Sequence, residues 1–247
     1  MIKEKPMKRI LFYSISMSLL FALFISAQPS KDELQQKAAT IKQAATDNQA
    51  ALRQYHWIET TQVAMKGEIK STTQKTCYYG NDGKVVKTPL ASPQQPQQEQ
   101  KRSGGRHPRV KAKVVENKKE EMTSYMQKAA ALVQQYVPPS PDKIQNAVQS
   151  SNVTVNPSAA PGITSLIFKN YNLQGDTMTF GVSQTDKKMV NLVVNSYLDD
   201  PKDVVNLFVT FATLPDGTSY PGQSVLDVTA KQMKVTITNS DYKKAGM

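Results

Sequence analysis

The stretch YHWIETTQVAMKGEIKSTTQKTCYYGNDGKVVKT, Tyr55–Thr88, decides the fold class. It is rich in threonine, valine, isoleucine and aromatic residues, which pack well on the pleated surface of a β-sheet. Lys66-Gly67 and Asn81-Asp82-Gly83 are typical hairpin turns. The stretch therefore predicts about three consecutive antiparallel strands.

The pairing chemistry of the first two strands predicts their register. A three-residue loop would give three matched pairs, namely Met65 with Ile69, Trp57 with Cys77 and Glu59 with Lys75. A slip by one residue would instead oppose apolar and charged side chains, Met65 to Glu68 and Val63 to Lys70. We therefore expect the first register, in which Cys77 and His56 lie on opposite faces because neighbouring residues alternate along a strand.

The first residues have the layout of a secretory signal. A cationic start, MIKEKPMKR, precedes an apolar run of 18 residues, Ile10–Ala27, and polarity returns at once with QPSKDEL. Ala27 and Ile25 fit the two specificity positions of a cleavage site. We expect residues 1–27 to be a signal peptide and the protein to be exported, either periplasmic or extracellular in a bacterium. If the signal is not cleaved, the protein is anchored in the inner membrane.

A basic insertion follows the first strands. The segment at about 91–113 is rich in proline, glutamine, glycine and lysine, and it cannot bury enough apolar area to become ordered. A net charge of +11 would suit a nucleic-acid binder, but an exported protein meets lipid head groups and wall polymers instead. We expect no nucleic-acid partner. The predicted contacts to an anionic envelope surface are Lys101, Arg102, Arg106, Arg109, Lys111 and Lys113.

Helices are predicted before the first strands and after the basic insertion. Ser30 caps the first helix, which should end at about Arg53. The second, Val115–Tyr136, is amphipathic, and its apolar face is formed by Met122, Tyr125, Met126, Ala129, Leu132, Val133 and Tyr136. Ser140 then caps a short third helix with Ile144 and Val148 on one face.

The last part of the chain predicts a meander of antiparallel strands. Apolar and polar residues alternate around Met178, Phe180 and Val182, around Val205, Leu207, Val209 and Phe211, and around Met233, Val235 and Ile237. Turn signals separate these segments at Gly175-Asp176, Asp186-Lys187, 199–201 and 214–217. We predict an α+β fold: a curved antiparallel sheet, forming an incomplete barrel, covered by helices on its concave face. Residues 28–247 would form a single domain.

Catalytic chemistry has little support in the sequence. The chain has two histidines, His56 and His107, and one cysteine, Cys77, which is too few for a zinc site of histidine and cysteine ligands. No nucleophile elbow, phosphate loop or dinucleotide-binding turn is present. The acidic cluster at Asp199, Asp200 and Asp203 suits a solvated turn better than a calcium loop. We expect neither enzymatic activity nor a metal or other cofactor.

One apolar face of the predicted sheet is a candidate ligand site. Its residues are Trp57, Val63, Met65, Phe180, Val182, Val193, Leu207 and Phe211. Ten methionines provide flexible side chains that suit an adaptable apolar pocket as well as an irregular core. The sheet would then either enclose a cavity for an acyl chain or be filled by its own side chains.

The order of these elements resembles that of the periplasmic lipoprotein carriers of the LolA and LolB type. An export signal, a first helix, a threonine-rich hairpin, a middle helical pair and a run of antiparallel strands carry the resemblance. It implies a non-enzymatic envelope protein, a monomer, that binds lipid or lipoprotein acyl chains. The alternative is a structural or interaction protein with a filled core and a basic loop that contacts anionic surfaces.

Overall fold

The computed structural model describes residues 46–90, 108–137, 139–186 and 188–245. The predicted signal peptide lies outside the described residues. The described chain begins in a helical segment, residues 46–52, here called α1, which ends where the sequence predicts. The other elements are β1 (Tyr55–Met65), β2 (Glu68–Tyr79), β3 (Val85–Pro89), α2 (Pro108–Val133), α3 (Pro141–Gln149), β4 (Val153–Ala160), β5 (Ile163–Lys169), β6 (Thr177–Ser183), β7 (Met189–Tyr197), β8 (Val204–Thr213), β9 (Ser219–Val228) and β10 (Met233–Lys244).

The strands form one large antiparallel sheet in the order β3-β2-β1-β10-β9-β8-β7-β6-β5-β4. Both runs of consecutive strands are meanders, since each strand pairs with the next in the chain. The ladder between β1 and β10 joins the two runs. Within the described chain the edge strands β3 and β4 do not pair with each other, so the sheet is not closed.

The first hairpin has a tighter turn than the sequence predicts. Lys66 and Gly67 have φ angles of 53° and 81°, as expected for a two-residue turn whose twist matches the strands. Met65 therefore pairs with Glu68, and the predicted three-residue loop and Met65–Ile69 pair are wrong. A register shift beyond Ala64 restores the predicted register, and Trp57–Cys77 and Glu59–Lys75 pair as expected. The extra residue in β2 at this bulge shifts the pairing by one position. The hairpin can therefore have a two-residue turn and still place chemically matched residues opposite each other further along the ladder.

Helix α2 begins before the position that the sequence predicts. It starts at Pro108, so Arg109, Lys111 and Lys113 lie in its first turns, within the segment at about 91–113 that the sequence assigns to the insertion. Proline is well suited to the first position of a helix, and residues 109–133 contain neither proline nor glycine, which explains the early start. Residues 91–107, with Lys101, Arg102 and Arg106, lie outside the described residues.

The helices α2 and α3 pack against one face of the sheet, here called the inner face. Their buried residues share one core cluster with β5–β9: Ala129, Leu132, Val133 and Ala147 from the helices, Tyr136 from the turn after α2, and Phe168, Met178, Phe180, Val194 and Leu207 among those from the strands. This confirms the predicted apolar face of α2 from Tyr125 onwards, whereas Met122 is half-buried and outside the core cluster. The predicted face of α3 is partly wrong, because Ala147 joins Ile144 at the core while Val148 is 45% exposed.

The turns of the second meander fall where the sequence predicts them. The breaks at Gly175-Asp176, 199–201 and 214–217 separate successive strands, and the break at Asp186 follows β6. Strand β4, in contrast, was not predicted. It contains Pro157, and its ladder to β5 is irregular between Asn156 and Ala160. Proline cannot donate a hydrogen bond to a ladder, which agrees with the position of β4 at the edge of the sheet.

Candidate functional site

The inner face has a filled part and a half-buried part. Under α2 and α3 it is filled, and Met178, Phe180 and Leu207 are at most 2% exposed. On β1 and β10, Trp57, Glu59 and Met233 are buried, but four apolar side chains of the inner face are only half-buried. We call these four side chains the apolar strip: Val63, Met65, Ile237 and Val235, the last of which also packs against the core cluster. Val63 pairs with Val235, and Met65 with the buried Met233, so the strip is continuous across the two strands.

The predicted ligand-binding residues divide between these parts. Phe180, Val182 and Leu207 belong to the filled core, and Phe211 packs against it. Val63 and Met65 lie in the apolar strip, and Trp57 is buried at the far end of the same face of β1. Two of the eight residues, Val63 and Met65, therefore belong to the half-buried apolar strip.

Val193 does not belong to this face. On β7 the buried residues are Leu192 and Val194, which point into the core, so that Val193 points to the opposite face of the sheet. There it pairs with Phe208, which is 41% exposed. Leu192, Val193 and Val194 are consecutive apolar residues, so both faces of this part of the strand are apolar. For this reason alternation alone assigned Val193 to the wrong face.

An aromatic cluster closes the end of the inner face beyond Glu59. The indole ring of Trp57 stacks on Tyr242 at 5.6 Å between centroids, and Tyr79 and Tyr220 lie against the same two rings. The Trp57 indole N–H donates to the side-chain oxygen of Asn239 at 3.1 Å. Burial raises the pKa of Tyr242 above its ordinary value, so this phenol stays protonated. The cluster thus combines packed aromatic rings with several polar groups, namely the tyrosine hydroxyls and the indole N–H.

A charged group lies between the aromatic cluster and the apolar strip. The Lys87 ammonium on β3 reaches across β2 to form an ion pair with Glu59 on β1, which is 7% exposed. Lys75 lies on β2 directly opposite Glu59 and is half-buried. Among the described residues Lys75 forms no ion pair. The three side chains therefore leave one positive charge on the inner face.

Cys77 lies beneath this charged group and is fully buried. Burial raises the pKa of its thiol to about 11, with a further contribution from the Glu59 carboxylate. His56 lies on the opposite face of the sheet, where its ring stacks on Tyr78 at 5.2 Å. The predicted divergence of Cys77 and His56 is confirmed, and this pair has no geometry for nucleophilic catalysis.

We expect Cys77 in the native protein to react very slowly with a thiol reagent. At pH 8 a pKa of about 11 makes the thiolate fraction roughly 200-fold lower than for an ordinary thiol, and complete burial slows the reaction further. Labelling with iodoacetamide, followed by mass spectrometry, measures the rate. The same protein unfolded in guanidinium is the control. A native rate within tenfold of the unfolded rate would contradict the buried position.

The predicted acidic cluster forms a turn that ties α2 to the sheet. The Asp200 backbone and side chain accept hydrogen bonds from Asp203 N and Lys202 N at 2.7 and 2.8 Å. The Asp203 carboxylate accepts a hydrogen bond from the Tyr125 hydroxyl on α2. Within the described ranges no group of three or more His, Cys, Asp or Glu residues could hold a metal ion, and no helix is long and apolar enough to cross a membrane.

A buried polar group that the sequence did not reveal lies under the end of α2. The Asp176 carboxylate is 1% exposed and accepts hydrogen bonds from Tyr136, from Asn172 N at 2.9 Å and from Leu173 N at 2.6 Å. Ser196 lies 2.7 Å from the Tyr136 hydroxyl, whose single proton is used on Asp176. Burial and the hydrogen bond to Asp176 raise the pKa of Tyr136. The group is inaccessible, so it serves the fold and not a substrate.

A shallow cleft of about 340 Å³ lies on the other side of α2. Its lining includes Lys128, Leu132, Gln135, Asn172, Leu173 and Tyr197. An exposed ion pair between Lys128 and Asp199, 3.3 Å long, lies at the cleft. Because the cleft is open and mixes charged, amide and apolar groups, it is a poorer site for an apolar ligand than the inner face.

No protein-family model matches the chain, and no curated protein matches it in sequence. Its structure is similar to the crystal structure of a DUF1329 family protein from Desulfovibrio piger. The two chains are 14% identical and superpose with a TM-score of 0.39 over 81% of this chain and 90% of that chain.

Proposed function

We propose that the protein is an exported, non-enzymatic envelope protein that binds an apolar or acyl-bearing ligand at the apolar strip. One observation carries the proposal: along the inner face, burial falls from at most 2% exposure under α2 to half-buried side chains at Val63, Met65, Val235 and Ile237. Covering these four side chains with a ligand would be favourable, since full burial of an exposed apolar side chain contributes roughly 1.5–3 kcal/mol and a half-buried one can still gain part of this.

The dimensions and the shape of the strip suit an acyl chain. From Glu59 to Met65 the strand rises by about 20 Å, at roughly 3.4 Å per residue. The acyl chains of one membrane leaflet span about 15 Å, half of the hydrocarbon core. Register shifts in the ladders of β1 with β2 and with β10 favour a bent sheet, and the order of the elements resembles that of the lipoprotein carriers.

The second candidate is a structural or interaction protein with a filled core. The continuous packing of α2 and α3 on β5–β9 favours it, because this part of the inner face has no room for a ligand. The predicted contacts of the basic residues with an anionic envelope surface belong to this candidate. The two candidates differ at the apolar strip, and an experiment can decide between them there.

The single tryptophan makes this experiment direct. Trp57 lies at one end of the inner face of β1, and bromine atoms on an acyl chain quench tryptophan emission only at short range. We expect a brominated fatty acid to quench Trp57 saturably. Val63→Gln should weaken binding roughly tenfold. The variant loses an apolar contact with the ligand, and a tenfold change in Kd corresponds to a loss of about 1.4 kcal/mol of binding free energy.

The matched control is Val193→Gln. Val193 is also a half-buried valine within a strand, but its side chain lies on the opposite face of the sheet. Binding to this variant should equal binding to the natural protein. Native mass spectrometry of protein purified from the envelope, followed by solvent extraction, should also detect a bound lipid. An absence of quenching together with a ligand-free mass would reject the carrier and favour the filled scaffold.

A further inference from the structure

We infer that the ligand is an amphiphile with one carboxylate head, which binds at Lys75 while its chain runs along the apolar strip towards Met65. This inference rests on the proposed function and specifies its ligand. It follows from the way in which charge and apolar area are separated along the inner face. The charged residues lie at one end and the four apolar side chains at the other.

The charges of the inner face favour a single negative group. Glu59 and Lys87 form an ion pair and neutralise each other. Lys75 is half-buried beside them and has no carboxylate partner among the described residues, so its ammonium keeps three donors for a ligand. A half-buried cation binds an anion more strongly than an exposed one, because the solvent screens it less. One carboxylate would satisfy this charge.

The position of Lys75 fixes the orientation of the ligand. On β2 the inner-face residues beyond Lys75 are Thr73 and Ser71, which are exposed and uncharged. On β1 the corresponding neighbours are Thr61 and then Val63, where the apolar strip begins. In the other direction Trp57 and Cys77 are buried, and the aromatic cluster closes the face. A head at Lys75 therefore leaves one direction for the chain, towards Met65.

The orientation can be measured with two brominated fatty acids. One carries its bromine atoms near the carboxylate and the other near the methyl end. Trp57 lies one inner-face position from Glu59, which pairs with Lys75, whereas Met65 lies three positions beyond Glu59. We expect strong quenching by bromines near the carboxylate and weak quenching by bromines near the methyl end. The reverse order would overturn the orientation.

The role of the charge is tested with Lys75→Gln. The variant should bind the brominated fatty acid roughly tenfold more weakly, since it loses a charge-assisted hydrogen bond. Its affinity for the uncharged methyl ester of the same acid should not change. Lys66→Gln, at the hairpin turn, removes the same net charge at the end of the strip opposite Lys75 and should leave both affinities unchanged.

The outcomes separate this inference from the proposed function. If neither the acid nor the ester quenches Trp57, both fail. If both bind equally well and Lys75→Gln changes neither affinity, the strip binds acyl chains and the carboxylate assignment alone is wrong. Tighter binding of a brominated phosphatidic acid than of the fatty acid would also overturn that assignment, in favour of a phosphate head.

Discussion

Replacing Asp176 with alanine is expected to lower the free energy of unfolding by roughly 3–5 kcal/mol. The substitution leaves three donors without their acceptor: the Tyr136 hydroxyl, Asn172 N and Leu173 N. A donor left unsatisfied in the protein interior costs about 1–3 kcal/mol, and two of these three lie in a half-buried turn that water can reach in part. The loss would separate the end of α2 from the sheet.

Urea denaturation, followed by Trp57 emission and far-ultraviolet circular dichroism, measures this effect. Tyr136→Phe removes a single hydroxyl and should cost less, about 1–3 kcal/mol. The double variant should cost less than the sum of the two, because both substitutions break the same hydrogen bond. Asp199→Ala is the matched control, since its exposed carboxylate forms a surface ion pair with Lys128, and it should change stability by at most about 1 kcal/mol. A loss below 1 kcal/mol for Asp176→Ala would contradict the role of this carboxylate.

Side-chain periodicity was sufficient to predict most strands and the core face of α2. Alternation along β6 and β8 assigned Met178, Phe180 and Leu207 correctly to a buried face, because one face of each strand is continuously apolar. The same reasoning failed at Val193, where neighbouring positions are all apolar and either phase fits. Periodicity is informative only where the two faces differ in polarity.

Contacts between distant parts of the chain could not be predicted in this way. The pairing of β1 with β10 joins residues that are 168 to 189 positions apart. No local sequence pattern in either strand indicates which strand it pairs with. The Asp176 group is similar. Gly175-Asp176 was assigned to a turn from residue type alone, yet the carboxylate turns inward to the hydroxyl of Tyr136, which follows α2 and lies 40 residues earlier. The available signal was Tyr136, since a tyrosine at the buried end of an amphipathic helix needs a partner for its hydroxyl.

The half-buried strip was also invisible in the sequence. Val63 and Met65 recur at every second position, as the core residues of β8 do, so alternation cannot show which apolar face is covered by a helix. The division between a filled part and a half-buried part depends on where α2 crosses the sheet. That position follows from its packing on β5–β9, which is a property of the folded chain.

Replacing Lys87 with methionine is expected to destabilise the protein by about 2–4 kcal/mol. Glu59 is 7% exposed, and the variant removes the ammonium that pairs with its carboxylate. Breaking a buried ion pair from one side costs roughly 3–5 kcal/mol, and Lys75, directly opposite Glu59, can compensate for part of the loss. Because Cys77 lies beneath the pair, its labelling by iodoacetamide should also become faster in this variant.

The double variant Glu59→Gln, Lys87→Met distinguishes an unpaired charge from lost packing. Removing both charges should restore the free energy of unfolding to within about 1 kcal/mol of that of the natural protein, since a buried pair and an uncharged pair of similar volume are often equally stable. Lys70→Met, which breaks an exposed pair with Glu68, is the control and should have almost no effect. If the double variant is as unstable as Lys87→Met alone, the aliphatic part of Lys87 holds β3 in place, and its charge is dispensable. If stability returns, the pair serves to set the charge of the inner face, and Lys75 remains the cation that a ligand meets.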